Sequence, residues 1–166
     1  MSLDGFIAGP NGEYDWITMD PTIDFTVLFG EFDTLLMGRK TFQALRAQGP
    51  GDPSSGMKVI VCSKTLQPSD FPDVDIISVQ IEETVRALKR SPGKDIWLFG
   101  GGVLFRTLLD AQLVDTIEVA IMPVLLGTGI PLSPVGQRSP ALHLETSRVL
   151  PSGIVMLTYA IKGRAH

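Results

Sequence analysis

The amino-acid sequence predicts a single α/β domain at residues 1–166, with a mostly parallel central sheet, helices on both faces and a C-terminal antiparallel hairpin. Between residues 34 and 111, short apolar runs alternate with amphipathic helical patterns, which is typical of parallel strands joined by helices. From Asp115 onward longer strand patterns follow, and the last two are joined by the turn sequence Pro151-Ser152-Gly153. Such a turn between two strand patterns predicts a hairpin. The length suits one domain with a sizeable core.

Local signals assign the individual elements. Asp20 before Pro21 is a typical helix start, with Asp as the N-cap and Pro at the first helical position. The first strand is short at its beginning, which leaves open whether residues precede Met1. The predicted strands are at 1–8, 34–38, 58–62, 75–79, 95–99, 116–124, 142–150 and 154–161, the helices at 20–29, 39–47, 81–89 and 103–111, a loop at 48–56 and a broken extension at 125–134.

A strand, a glycine turn and a helix start lie in direct succession at residues 95–105. The continuous apolar run at 96–99 predicts a strand that is buried on both faces. The sequence Gly100-Gly101-Gly102 follows, where the backbone can adopt positive φ and lie bare against a ligand. The helix start after it would offer free N–H groups to a phosphate. A plain packing turn is an equally open interpretation, because the glycine pattern matches neither the Rossmann fingerprint nor a P-loop.

The composition argues against several classes of function. A net charge of -4 and a pI near 5.1 disfavour general binding to nucleic acid or to an anionic membrane. The single cysteine, Cys62, excludes an intrachain disulfide and is expected to be a small buried hydrophobe. His143 and His166 are far apart in sequence, so we expect no metal site. Without a long apolar stretch or a signal-peptide pattern, the expected location is cytoplasmic.

Three predicted strands end in residues that suit phosphate oxygens. In an open α/β sheet, ligands bind outside the carboxyl ends of the strands. Backbone donors, hydroxyls and cations follow those ends here, in the sequences Gly38-Arg39-Lys40-Thr41, Ser63-Lys64-Thr65 and Gly100-Gly101-Gly102. One such end is ordinary. Three together predict a ligand with several phosphates, such as a dinucleotide.

Several short motifs occur in a recognisable order and spacing. They are Ser2-Leu3-Asp4-Gly5-Phe6-Ile7-Ala8, Trp16-Ile17-Thr18, Leu36-Met37-Gly38-Arg39-Lys40-Thr41-Phe42, Leu98-Phe99-Gly100-Gly101-Gly102 and the segment from Leu113-Val114-Asp115 to residues 122–129. In them the chain resembles the dihydrofolate reductase-like fold, and more closely the reductase domain of riboflavin biosynthesis and its bacterial relatives. The resemblance covers nearly the whole chain.

The resemblance implies an NADPH-dependent reductase, in which the cofactor carries the hydride chemistry. It implies a helix start that binds the pyrophosphate, a strand end that holds the adenosine 2′-phosphate, a glycine turn under the cofactor, often with a cis Gly–Gly bond, and a backbone segment that meets the nicotinamide amide. The pyrophosphate-binding helix start matches Gly38, Arg39, Lys40 and Thr41, and the strand end for the 2′-phosphate matches Ser63 and Lys64. The glycine turn matches Gly100, Gly101 and Gly102 with Val103 and Leu104, and the segment at the nicotinamide amide matches Ile7 and Ala8.

Asp4, Trp16 and Asp24 are the candidate catalytic residues. Dihydrofolate reductases carry an acidic residue on the helix after the tryptophan loop, and Asp20 and Asp24 flank that region here at a different spacing. We interpret Asp20 as the N-cap, whereas Asp24 points either into the cleft or into water. Asp4 either contacts substrate or cofactor or hydrogen-bonds its own turn. Trp16 either lines the cleft or fills the core.

The leading hypothesis is a reductase that transfers a hydride from NADPH to a small pterin- or pyrimidine-like heterocycle. The alternative is a non-catalytic pyridine-nucleotide-binding module, and a third is a structural dimer whose glycine turn only packs. No nucleophile–base pair is visible, which disfavours hydrolysis. Apolar residues on both faces of the C-terminal strands predict a homodimer that pairs through them, and the resemblance implies the same.

Overall fold

The computed structural model describes residues 1–47, 56–136 and 138–161, so residues 48–55 of the predicted loop lie outside the described part. The β-strands in that part are β1 Phe6–Ala8, β2 Phe32–Gly38, β3 Lys58–Cys62, β4 Asp75–Ile77, β5 Asp95–Gly100, β6 Thr116–Ile121, β7 Ile130–Pro131, β8 Leu142–Val149 and β9 Val155–Ile161. The α-helices are α1 Phe25–Gly30, α2 Arg39–Ala47, α3 Ile81–Leu88 and α4 Gly102–Asp110, and Pro68–Asp70 forms a short 3₁₀ helix.

The chain forms two compact units. One is Asp24–Leu104, and the other joins Met1–Ile23 to the part that begins at Phe105. The boundary falls inside α4, so this helix belongs to both. A single domain at 1–166 stays a prediction, and each unit is described by itself.

The unit Asp24–Leu104 is built on the predicted parallel sheet. Its four strands are all parallel and lie in the order β4-β3-β2-β5. Leu35 and Met37 of β2 and Val61 of β3 are 0% exposed, and they pack against Phe42 and Leu45 of α2. Apolar runs on two adjacent strands thus bury one face of α2, the usual way in which a βαβ unit forms its core.

Strand β5 differs from its prediction, because it lies at the edge of this four-stranded sheet and is half-buried along its apolar part. Trp97 stacks on Phe32 with ring centroids 5.1 Å apart, and it contacts Phe29 at 5.6 Å and Phe99 at 5.2 Å. The apolar run therefore serves a partly exposed aromatic cluster on an edge strand. The prediction of a strand buried on both faces was wrong.

The first helix begins later than predicted. Its N-cap is Asp24, whose carboxylate accepts hydrogen bonds from the backbone N–H groups of Thr26 at 2.9 Å and Val27 at 3.2 Å. The interpretation of Asp20 as the N-cap was wrong. The Asp20 carboxylate is 1% exposed and accepts instead from the backbone of Thr22 at 2.8 Å and of Ser152 at 3.0 Å. A distant partner, rather than the local helix, uses this carboxylate.

The other unit holds the predicted hairpin. Strands β8 and β9 pair antiparallel, and the turn between them closes through the bond from the N–H of Gly153 to the carbonyl of Leu150 at 2.9 Å. We predicted that the hairpin would extend the parallel sheet at one edge. It instead forms a three-stranded antiparallel sheet with β6, in the order β6-β9-β8. Every residue of β8 is exposed.

The first strand is only three residues long and pairs antiparallel with β7. Gly129 directly precedes β7 and lies so close to β1 that a Cβ atom on it would overlap the carbonyl oxygen of Ala8. Glycine is therefore required where the two backbones meet. No helix in the described ranges is long and apolar enough to span a bilayer.

Candidate functional site

The three strand ends that the sequence pointed to lie side by side. Strands β3, β2 and β5 are neighbours, Gly38 pairs with Cys62, and Met37 pairs with Gly100. A β-bulge in β5 skips Phe99, so that Gly100 rather than Phe99 lies opposite the end of β2. The carboxyl ends of three parallel strands therefore meet at one edge of the sheet, where α/β proteins bind ligands.

Helix α2 begins at this edge. Arg39 and Lys40 stand in its first turn without an acidic neighbour there. Lys40 is exposed and its side chain has no hydrogen bond or ion pair within the described residues, while the Arg39 side chain donates to Gln43 at 3.2 Å. Free backbone N–H groups and the helix dipole favour a negative charge at such an end, and two cations add to this preference.

The glycine turn lies beside the start of α2. Gly101 has φ of 98°, a conformation that favours glycine, and a Cβ on it would meet Thr41 Oγ1 at 3.6 Å. The peptide bonds in the described residues are all trans, so the cis Gly–Gly bond implied by the resemblance is absent from this turn. Of the two residues that follow Gly102, Val103 is 74% exposed, whereas Leu104 is 7% exposed and belongs to the core.

The turn after β3 contains the predicted residues Ser63 and Lys64. Ser63 is 6% exposed, and its Oγ accepts from the N–H groups of Thr65 at 3.2 Å and Leu66 at 3.1 Å. Lys64 is exposed and forms no hydrogen bond or ion pair with any described residue. Burial raises the pKa of the adjacent Cys62 thiol to about 11, so this thiol stays protonated and is a poor nucleophile.

Asp4, in the other unit, has a clear structural role. Its carboxylate accepts from the hydroxyl of Ser2 at 2.6 Å and from the backbone N–H groups of Leu126 at 3.1 Å and Gly127 at 2.7 Å. These bonds, the Ser2 hydroxyl first, hold the pKa of Asp4 below its usual value. The carboxylate thus binds the loop at residues 126–127 as well as its own turn. It is ionised at neutral pH.

The remaining candidates also have structural partners. The indole N–H of Trp16 donates to the carbonyl of Glu13 at 3.1 Å, and its half-buried ring packs on a core cluster of Met122, Leu150 and Ile154. Ile7 and Ala8 are half-buried on β1. Asp24 is exposed at the start of α1, where it acts as the cap. Sequence reasoning did not assign Asp4 to the loop at 126–127, because no local signal reports a contact so distant in the chain.

The donor set fits a phosphate-bearing nucleotide better than a metal ion. In the described residues no group of three or more His, Cys, Asp or Glu side chains is placed to hold a metal. The strand-end edge instead offers bare glycine backbone, the start of α2 and the cations Lys40 and Lys64, whose side chains have no partner among the described residues. Such groups bind phosphate oxygens.

A parallel sheet whose neighbouring strands end in glycines, hydroxyls and cations is typical of nucleotide-binding α/β proteins. The chain belongs to the family described as the RibD C-terminal domain, whose model matches residues 1–156. The predicted relationship to the riboflavin-biosynthesis reductase domain is confirmed, and with it the dihydrofolate reductase-like fold.

Individual relatives agree with this assignment. The chain is 38% identical to YyaP of Bacillus subtilis strain 168 over 174 residues, which covers 98% of this chain and 92% of that protein. A crystal structure of a candidate riboflavin biosynthesis protein from Shewanella sp. PV-4 has a TM-score of 0.84 and 28% identity, with 98% of this chain and 95% of the other covered.

A more distant structure is the diaminohydroxyphosphoribosylaminopyrimidine deaminase/5-amino-6-(5-phosphoribosylamino)uracil reductase of Thermotoga maritima. It has a TM-score of 0.69 and 16% identity, and the match covers 96% of this chain and 54% of that one. At this identity the likeness concerns the fold alone. The chain is thus of the riboflavin-pathway reductase type in family and fold.

Proposed function

We propose that the protein is an NADPH-dependent oxidoreductase that reduces a small pterin- or pyrimidine-like heterocycle. The observation that carries the proposal is the meeting of three strand ends at one edge, each with groups suited to phosphate. Membership of the RibD C-terminal domain family supports the reaction class. Bound NADPH would supply the hydride.

Different residues at this edge would bind different parts of the cofactor. The start of α2, with Arg39 and Lys40, would hold the pyrophosphate. The Lys64 ammonium group has no partner among the described residues and would bind a 2′-phosphate, which would favour NADPH over NADH. The bare backbone at Gly101 permits a close approach that a side chain would prevent. Ile7 and Ala8 keep their predicted role at the nicotinamide as part of the proposal.

The substrate class rests on the relatives. The family match supports a reductase of the riboflavin-pathway type, and on that basis we extend to this chain a heterocyclic substrate of the kind that the name of the Thermotoga protein gives, a uracil derivative. Asp4 is ionised and holds a loop, which argues against its donating a proton to the product. Catalytic roles of Asp4, Trp16 and Asp24 stay predictions. A cytoplasmic homodimer completes the proposal.

A non-catalytic pyridine-nucleotide-binding module is the second candidate. It is favoured by one observation, namely that the carboxylates of Asp4 and Asp24 both serve as acceptors for backbone N–H groups in their own units. Both carboxylates therefore have a structural role that does not depend on catalysis.

Binding and turnover separate these candidates. NADPH and NADH are titrated into the protein by calorimetry, and pterins, pyrimidines and flavin precursors are then screened for oxidation of NADPH at 340 nm, the absorbance band of the reduced nicotinamide. We expect tighter binding of NADPH and turnover with at least one heterocycle. Binding without turnover would favour the non-catalytic module, and no binding of either dinucleotide contradicts the proposal.

A further inference from the structure

We infer that Ser63 is a positioning residue for nucleotide recognition, which fixes the turn that displays Lys64 and Thr65 to a 2′-phosphate and does not itself contact the phosphate. The inference rests on the proposed function. It differs from the simpler expectation that Ser63 and Lys64 both bind the phosphate directly.

The backbone N–H of Ser63 is already used as a donor within the fold, and its hydroxyl oxygen as an acceptor. Its backbone N–H donates to the carbonyl of Ile77 at 2.9 Å, which continues the β3–β4 ladder by one residue. Its Oγ accepts from the N–H groups of Thr65 and Leu66 at 3.2 and 3.1 Å. With two donors on one hydroxyl oxygen and 6% of the residue exposed, Ser63 is a turn cap rather than a surface ligand.

Lys64 and Thr65 lie between two residues that are fixed in the fold, Ser63 and Leu66. Leu66 packs against the core cluster of β2, β3 and α2, so the turn is fixed at its far end as well. Lys64 and Thr65 between these anchors are both exposed. The Thr65 hydroxyl has only a long contact of 3.5 Å to Ser63 Oγ, and the Lys64 ammonium has no partner within the described residues.

Together the two residues suit a phosphate dianion. An ammonium group and a hydroxyl on a short, fixed turn lose little conformational freedom on binding, and charge-assisted hydrogen bonds are the strong ones. Ser63 contributes by restricting where Lys64 can reach. Its removal should therefore act only through its neighbours.

A double-mutant cycle tests this dependence. The ratio of the NADH to the NADPH dissociation constant is measured by calorimetry for the parent, Ser63→Ala, Lys64→Ala and the double variant. Lys64→Ala should lower the ratio about tenfold and Ser63→Ala about threefold to fivefold, with NADH affinity nearly unchanged in both. Because Ser63 acts through Lys64 and Thr65, the loss in the double variant should be smaller than the product of the two single losses.

Other outcomes overturn the inference. Losses that multiply in the double variant would make Ser63 an independent phosphate ligand. A lower melting temperature with an unchanged ratio would leave Ser63 a purely structural cap. Equal affinity of the parent for both dinucleotides would exclude recognition of the 2′-phosphate, whereas no binding of either one contradicts the proposed function itself.

A second variant guards against loss of folding. Ser63→Thr keeps the hydroxyl acceptor for the turn, and we expect it to retain the parent ratio. Arg90→Ala removes an exposed cation on another surface of the same unit and serves as the control, with no expected change in the ratio. A reduced ratio in Ser63→Thr, with the fold intact by circular dichroism, would count against the inference.

Discussion

The buried carboxylate of Asp20 accepts a hydrogen bond from the backbone N–H of Ser152, 3.0 Å away and 132 residues further along the chain. The same carboxylate accepts from the N–H and the hydroxyl of Thr22 at 2.8 and 2.5 Å. Hydrogen bonds from Ser152, and then from Thr22, hold the pKa of Asp20 well below its usual range. This one side chain joins the N-terminal segment to the turn of the β8–β9 hairpin.

We expect Asp20→Asn to lower the melting temperature by several degrees at pH 7. Since the pKa in the folded state is depressed, the stabilisation is fully present above the unfolded pKa of about 4 and is lost as the pH falls through the folded value. The difference between parent and variant should therefore shrink in thermal melts below about pH 4. Asp15→Asn, at an exposed carboxylate, is the control. A difference that is constant from pH 7 to pH 3 would refute this explanation.

Asp24 permits a test that separates capping from chemistry. Asp24→Ala should destabilise the protein by about 1 kcal/mol, because it removes the acceptor for two N–H groups of α1, whereas Asp24→Ser should keep most of the stability. Both variants lack the carboxylate. If Asp24 is catalytic as predicted, turnover falls equally in both, and turnover retained by the stable Ser variant would reduce Asp24 to a cap. Urea denaturation gives the stability.

Gly101→Ala should fold but bind NADPH poorly. The protein itself leaves room for the methyl group, with Thr41 Oγ1 at 3.6 Å, so the cost to the empty protein is the left-handed backbone, about 1–2 kcal/mol. A ligand lying against the turn would add a direct clash. Gly30→Ala, with open space around its Cβ and no positive φ, is the matched control. Unchanged calorimetric affinity in a folded Gly101→Ala variant would mean that the turn only packs.

Light scattering at micromolar concentration should give about twice the chain mass of 18.0 kDa. Leu144 on β8 is 46% exposed and lies on the same face of the sheet as its partner Tyr159, so Leu144→Glu should shift the population toward the monomer. Val27→Glu introduces the same charge at a residue 62% exposed in the other unit and should leave the mass unchanged. A monomeric parent would rule out the homodimer.

Local patterns predicted the parallel part of the fold well. The bounds of α2 and β3 agree with their predictions, because Gly38 and the apolar run at 58–62 give unambiguous local signals. The start of α1 was missed, since Asp20 before Pro21 has the better local signature and only its bond to Ser152 reveals its role. The edge position of β5 was also missed, because an apolar run does not specify strand order.

The position of the candidate site could be predicted from the order of the parallel strands. Three strand ends with similar chemistry must meet if their strands are parallel neighbours, and the pairing of Gly38 with Cys62 and of Met37 with Gly100 fulfils that condition. The hydrogen bonds from residues 126–127 to the Asp4 carboxylate could not be predicted. Whether a carboxylate is free depends on which backbone N–H groups the fold brings to it. The N–H of Gly127, which donates to Asp4, is 123 residues away along the chain.

The first turn of α2 has a consequence for how long the protein survives in a cell. Arg39 and Lys40 lie at the positive end of the helix dipole with no acid in that turn, an arrangement that is unfavourable until an anion arrives. A ligand at a hundredfold excess over its Kd adds about 2.7 kcal/mol to the folded state. Empty chains would unfold more often and be degraded sooner. If the proposed dinucleotide binds at this end of α2, the abundance of the protein would rise and fall with the supply of that dinucleotide, independently of transcription.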